Sequence, residues 1–433
     1  MIEACVGALR FGTIPGVPAG FASTRRHAPM KSTLGILFLA CFAVAGSAQQ
    51  ETREGVLETD SVLDSLTLGG ELRLRAEVRD PSGPVTGRQS SRTNTLRARV
   101  NIGFQVDEYL GGYFQFQESV AGTGTPANDV VHQAFLLAEQ VLGDYTVQLG
   151  RYEMLFGDGR LVSPNDWFLL NNAFDGGTVA GDWENLRWQA FYTQAVVGQG
   201  GFAGANTDFH GIYGTWEVSP FLNIDTYILR RNDSSLGIDE LTFGGRLDGE
   251  AYDNLFWSLE AAWQDGERGG LDVRAQAVAL EAWYGLDGGH FLGLEWNLAT
   301  GDDTPGDRED EAFAAPFGDS HRFNGLADVV AWTNLVDLAV RYRLEWSERW
   351  NFHTDLHFFQ RETSLDTIYV GPGGAGIRPA RSDDIGGELD VYLVGDLSEN
   401  LFLTFGGAFF SAGNGVRNSD DQYWLFTQLG LKF

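Results

Sequence analysis

The stretch Gln422–Phe433, Q-Y-W-L-F-T-Q-L-G-L-K-F, carries the reading of the whole chain. Counting back, every second residue is Phe433, Leu431, Leu429, Thr427, Leu425 and Tyr423, and those between are mostly polar or small. A period of two belongs to a β-strand with one apolar and one wet face. Soluble sheets also contain such strands, so the meaning of this one depends on its partners.

The pattern recurs upstream. Leu66–Arg79 places Leu66, Leu68, Leu72, Leu74, Ala76 and Val78 on one face and Glu71, Arg73, Arg75 and Glu77 on the other. Thr95–Val106 alternates Leu96, Ala98, Val100, Ile102, Phe104 and Val106 with Arg97, Arg99, Asn101 and Gln105. Twelve-residue strands with arginines on the would-be core side do not suit a soluble sandwich. They suit a closed barrel with lipid outside and a wet lumen. Further strands are expected near 110–119, 130–138, 145–153, 174–181, 186–195, 209–218, 222–231, 240–249, 253–264, 272–286, 290–300, 333–344, 349–361, 384–395, 400–411 and 422–433, about eighteen in all. Connections after even-numbered strands are short and those after odd-numbered strands mostly long. That parity is what short periplasmic turns and long extracellular loops produce. The fold class is therefore all-β, a transmembrane antiparallel β-barrel. Its last strand is expected to pair with the first, with Leu425, Leu429, Leu431 and Phe433 toward lipid and Gln428 and Thr404 inward. Tyr109, Tyr113, Trp183, Trp188, Trp216, Trp257, Trp263, Trp350 and Trp424 lie near strand ends and are expected to form interfacial girdles.

Composition agrees. The 433 residues carry 56 glycines, 13% aromatics and a formal charge of −29. Repeated apolar runs of about 20 residues, which a helical membrane protein requires, are absent. Residues 30–48 read as a signal peptide. Lys31 supplies the charge, Leu34–Val44 the apolar run, and Gly46-Ser47-Ala48 the small residues before cleavage at Gln49. Residues 1–29 read as an over-extended start or leader, 49–64 as a linker and 65–433 as the barrel. Cleavage would remove both cysteines, Cys5 and Cys41. It would also remove one acid and four cations, taking the charge to −32.

Gly150-Arg151-Tyr152-Glu153-Met154-Leu155-Phe156-Gly157-Asp158-Gly159-Arg160-Leu161 is followed by Asp166-Trp167 and then Phe174-Asp175-Gly176. Later come Gly318–Asp328, Asn334–Asp337 and Ile385–Asp390. In content and order this resembles the alginate-export family of outer-membrane barrels. The resemblance implies an eighteen-stranded monomer in the outer membrane of a Gram-negative bacterium. Its best-known members pass a polyuronate through an arginine-rich lumen with acidic counterparts. Family members often carry Arg just before F-D-G, where this chain has Asn172-Ala173.

Strand parity places Arg73, Arg75, Arg97, Arg99, Arg246, Arg341 and Arg343 inward. The facing acids are Glu71, Glu77, Glu260, Glu295, Asp337, Asp355, Glu388 and Asp390. The resemblance adds Arg151, Arg160 and Asp175, on or beside the long fifth connection, for which folding into the lumen is one of the expected placements. Selectivity in a pore comes from such charged rings. The Arg73/Arg75/Arg97/Arg99 patch is expected to attract anions, although lumenal ion pairs also simply brace a wall. The expected function is passive passage of a hydrophilic, anionic solute, small or polyuronate. A nutrient-uptake porin and a barrel hydrolase are the alternatives.

No enzyme signature emerges. His353, Asp355 and His357 share a strand face, but neighbours there stand about 7 Å apart. One strand cannot close a metal shell alone, and lumenal polarity is the expected role. Gly371–Gly376 matches G-x-G-x-x-G without a following helix, so no nucleotide site is expected. No cofactor is expected beyond a Ca²⁺ option at the outer loop acids Asp302, Asp303, Asp307 and Glu309. Expected partners are outer-membrane lipid, lipopolysaccharide and the barrel assembly machinery, with no nucleic acid.

Overall fold

The computed structural model describes residues 63–80, 90–122, 125–127, 131–197, 207–252, 254–371, 375–377, 382–416 and 420–433. The expected leader and signal peptide lie outside them, as do most of the linker and part of the Gly371–Gly376 motif.

Period-two patterning makes eighteen long strands. They are β1 Ser65–Asp80, β2 Ser91–Gln105, β3 Leu110–Ala121, β4 Val131–Val141, β5 Tyr145–Tyr152, β6 Ala173–Trp183, β7 Leu186–Val197, β8 Thr207–Ser219, β9 Leu222–Asp233, β10 Ile238–Ala251, β11 Leu255–Arg268, β12 Leu271–Leu286, β13 His290–Ala299, β14 Leu335–Ser347, β15 Trp350–Gln360, β16 Asp384–Asp396, β17 Leu401–Ala412 and β18 Gln422–Lys432. Each pairs antiparallel with the next, and β18 returns to β1 with Leu429 opposite Leu74 and Gln428 opposite Arg75. The barrel is closed, so no edge is left unpaired. Thr125–Ala127 and Glu309–Asp310 extend the sheet as short additions. The loop-length parity holds, with two exceptions: the connections at 234–237 and 269–270 are short although they lie at the long-loop end.

The faces separate as expected. Leu68, Leu425 and Phe433 are 60%, 62% and 64% exposed on the outside, whereas Arg73 is 1% exposed. Thr404 and Gln428 are buried inward. The Phe433 ring covers Gly70 across the seam, where an added Cβ would lie 2.4 Å from the ring. Tyr109, Trp183, Trp216 and Trp263 are exposed on the outer wall. Trp424 and Tyr113 are corrections to the girdle expectation. Trp424 shares the inward face of Phe426 and Gln428 and is fully buried. Tyr113 lies two residues before the buried Gln115 and packs on Phe135.

The lumen is filled in part by loops, the long fifth connection among them. The connections 153–172 and 300–334 fold into it. They join through a parallel bridge between Val162 and Phe317. Ser163 N donates to Phe317 O at 3.0 Å, and Phe317 N to Leu161 O at 2.9 Å. Phe317 then packs edge-on against Phe174 and Phe209, and Phe156 stacks on Tyr213. These inward aromatics of β6–β8 are apolar because loop side chains, rather than water, cover them. One helical turn, α1 Ser320–Phe323, is capped by Asp319 and carries His321 against the Trp167 ring at 4.1 Å.

Candidate pore constriction

The constriction begins with a conflict of charge. The β1–β2 register sets Arg73 directly opposite Arg97. Like charges facing across a strand pair repel, so this ladder requires anions. Glu71, in the same layer, accepts from Arg97 Nη2 at 2.7 Å. The connection 153–172 supplies the rest. Asp166 Oδ1 accepts from Arg97 at 2.9 Å and from Arg99 at 3.2 Å, and Arg73 lies 3.6 Å from Oδ2. Main-chain carbonyls add to the grip. Arg73 donates to Asp166 O at 2.6 Å and to Phe168 O at 2.9 Å, and Arg75 donates to Trp167 O. The Arg75 guanidinium lies 3.6 Å from the Trp167 ring centre, a cation–π contact. Asn171 closes the loop on itself, donating to Asp166 Oδ1 at 2.6 Å.

The electrostatics follow from this geometry. Burial opposes ionisation of Asp166, but Arg97, Arg99 and Arg73 outweigh it and hold its carboxyl well below the usual carboxylate range. Asp158 behaves alike, with Arg246 and Arg160 outweighing its burial. The four arginines Arg73, Arg75, Arg97 and Arg99 meet four carboxylates, Glu71, Glu77, Glu153 and Asp166. The patch faces inward as expected but is covered by a loop and locally neutralised. The anion it holds in this structure is the chain's own Asp166 carboxylate.

A second cluster lies across the lumen. Arg160, on the same loop, donates to Asn297 at 2.8 Å and to Glu295 at 2.9 Å, and its guanidinium covers Phe323 at 3.9 Å. Arg341 pairs with Glu295 at 2.6 Å. Arg246 pairs with Asp248 at 2.6 Å and Asp225 at 3.3 Å. Arg343 pairs with Glu345 at 2.7 Å, and its guanidinium faces the Phe291 ring. The connection 153–172 thus ties β1–β2 to β12–β13 through opposite ends.

Other expected residues fall elsewhere. Arg151 and Asp175 form a bidentate pair at 2.7 and 2.9 Å, adjacent in register. They are not in the lumen. Tyr152 and Phe174 take the inward positions, so their neighbours on β5 and β6 face outward, and Asp175 is 46% exposed. This pair belongs to the outer wall at the long-loop end. Glu388 and Asp390 are buried inward and accept from the main-chain N–H groups of Ala327 and Leu326. In the acidic loop Glu309 pairs with Arg274 at 2.9 Å. Asp302, Asp303, Asp307 and Glu309 do not gather into a three-ligand group among the described residues.

Asp166 is the member of this cluster that inward parity could not find, because it sits in a connection. A signal was nevertheless available. The 153–172 segment carries Leu155, Phe156, Leu161, Val162, Trp167 and Phe168, too apolar for a long solvated loop.

The geometry finds relatives. The family profile described as alginate export matches residues 64–427. A search of curated proteins finds no match. Among solved structures, OpdO of Pseudomonas aeruginosa superposes with a TM-score of 0.61 at 14% identity, covering 86% of this chain and 98% of that one. The outer membrane protein OprD of the same organism gives 0.59 at 13%, covering 87% and 96%. OccAB4 of Acinetobacter baumannii gives 0.57 at 11%, covering 86% and 99%. At these identities the likeness is one of fold.

Proposed function

Because this chain belongs to the alginate export family, an outer-membrane channel family, we propose that its lumen passes hydrophilic, carboxylate-bearing solutes, polyuronates included, under control of the 153–172 loop. One observation carries this reading. Arg73, Arg97 and Arg99 converge on a single carboxylate, that of Asp166, beside an indole stacked on Arg75. Planar guanidinium forks match carboxylates well. When the loop withdraws, its carboxylate leaves and the arginines face the lumen. A uronate carboxylate then takes the place of Asp166. In the closed state the loop occupies its own channel's anion site. The proposed setting is the outer membrane of a Gram-negative bacterium, with the chain acting as a conduit and not as an enzyme.

The test is planar-bilayer recording of the purified protein across a salt gradient. The reading expects a reversal potential of anion-selective sign and concentration-dependent block by oligouronates. Cation selectivity together with indifference to oligouronates would contradict it.

A further inference from the structure

Away from the arginine ladder, three strands bring a different set of groups together. Asp355 and His357 lie two apart on the inward face of β15. They alone cannot surround an ion. The neighbouring strand changes this, because β16 places Asp390 directly opposite Asp355 and Glu388 directly opposite His357. One ligand atom each from Asp355, His357 and Asp390 falls within 4.8 Å of the others. We propose that these three residues bind one divalent transition-metal ion of the zinc or manganese class.

Two further observations point to a ligand. The first concerns the imidazole. His357 Nδ1 donates to Asp337 on β14, at 3.0 and 3.2 Å from its two oxygens. A carboxylate only accepts, so a proton is on Nδ1, and Nε2 is the nitrogen turned toward Asp390, able to ligate an ion in exchange for any proton it holds. A carboxylate that orients histidine in this way is the usual outer partner of a metal-bound imidazole. Nε2 faces Asp390 Oδ2 at 3.9 Å, too long for a hydrogen bond. A tetrahedral ion with bonds of about 2.1 Å holds its donors roughly 3.4 Å apart, so a small inward movement completes the contact.

The second observation concerns unmet acceptors. Asp390 Oδ1 and Glu388 Oε2 are buried oxygens that meet no N–H or hydroxyl donor, and the two side chains, both 0% exposed, lie against each other, so that a shared proton or a cation must hold them together. Buried carboxylate oxygens require a donor or a cation. Asp337, Asp355, Glu388 and Asp390 concentrate negative charge here. The cation opposite Asp355 in the ladder, Arg341, is already held by Glu295 at 2.6 Å. Asp355 retains partial exposure, which leaves the ion a way in. One imidazole with two carboxylates is a donor set for zinc or manganese, whereas calcium prefers oxygen throughout. The main-chain N–H groups of Leu326 and Ala327 rest on Asp390 and Glu388, so the bound ion would also brace the 300–334 loop.

The full-length protein in detergent, stripped with chelator, is titrated with Zn²⁺ alone by calorimetry. The expected result is one Zn²⁺ per chain, at least a 100-fold loss of affinity in Asp355→Asn/Asp390→Asn, and a 10- to 100-fold loss in Asp337→Asn. Heat-modifiable migration confirms that each variant is folded. If the double variant does not fold, zinc-edge absorption of the wild type decides. Imidazole scattering with nitrogen and oxygen ligands supports the site, and its absence overturns it. The proposal is also overturned if the wild type binds no stoichiometric Zn²⁺, if the folded double variant binds it equally well, or if Ca²⁺ displaces it at equal concentration. Conductance is not read, so failure here leaves the channel reading untouched.

Discussion

Asp166 does its work as an ionised group. Its neutralisation removes the anion that lets Arg73 and Arg97 sit opposite each other. Its carboxyl is held below the usual range in the folded chain, so the stability it contributes is present above the unfolded value of about 3.9 and is lost as pH falls through the folded value. Loop closure should therefore survive acidification through about pH 4 and fail only in stronger acid. Conductance recorded against pH checks this, and an opening midpoint near 4 would show an unperturbed carboxylate. Arg97→Ala is the converse test. It leaves Glu71 and Asp166 without their shared partner, and breaking a buried pair costs about 3–5 kcal/mol. The expected result is faster proteolysis within 153–172, with the barrel itself still heat-modifiable. The facing of these arginines could be read from strand period alone. Their partner could not, because Asp166 lies 69 positions from Arg97 and no periodicity links a strand to a distant loop.

Among the elements, the two inward connections form a wedge with its own apolar core. Phe317 is nearly buried, and its ring meets Phe174 and Phe209 edge-on at 4.9 Å. Phe317→Ala should cost about 3–5 kcal/mol of local stability, and the loss should fall on the wedge. Hydrogen exchange is expected to speed up in 153–172 and 300–334 while β1–β18 amides remain protected. Uniform loss of protection would show that the wedge and wall unfold as one unit. The strands themselves were legible from the sequence, since β3, β9 and β13 begin where the alternation starts. The wedge was less so. Alternation reports a strand's two faces but not what covers the inner one, and inward Phe174, Phe191 and Phe209 only make sense once loop side chains are packed on them.

For the molecule as a whole, closure depends on the seam between β18 and β1. The main-chain N–H groups of Phe433 and Gly70 each donate to the other's carbonyl, at 3.1 and 2.8 Å, and the ring lies over Gly70. Gly70→Leu places a side chain where that ring sits. It should lower the fraction of chains that reach the heat-modifiable, closed form, whereas Gly122→Leu, in open space but at positive φ, perturbs only a loop end. The alternating pattern of Gln422–Phe433 makes this seam readable from the sequence. That the fifth connection could enter the lumen was readable too, but its joining to the 300–334 loop in one wedge was not, and the closed lumen gives the central claim its most direct test. That test is single-channel conductance in planar bilayers for the wild type and for Asp166→Ala at neutral pH. A loop-gated channel is expected to show small, infrequent openings in the wild type, with a several-fold rise in conductance and a shift toward anion selectivity in the variant. Equal conductance and selectivity in the two proteins would contradict it.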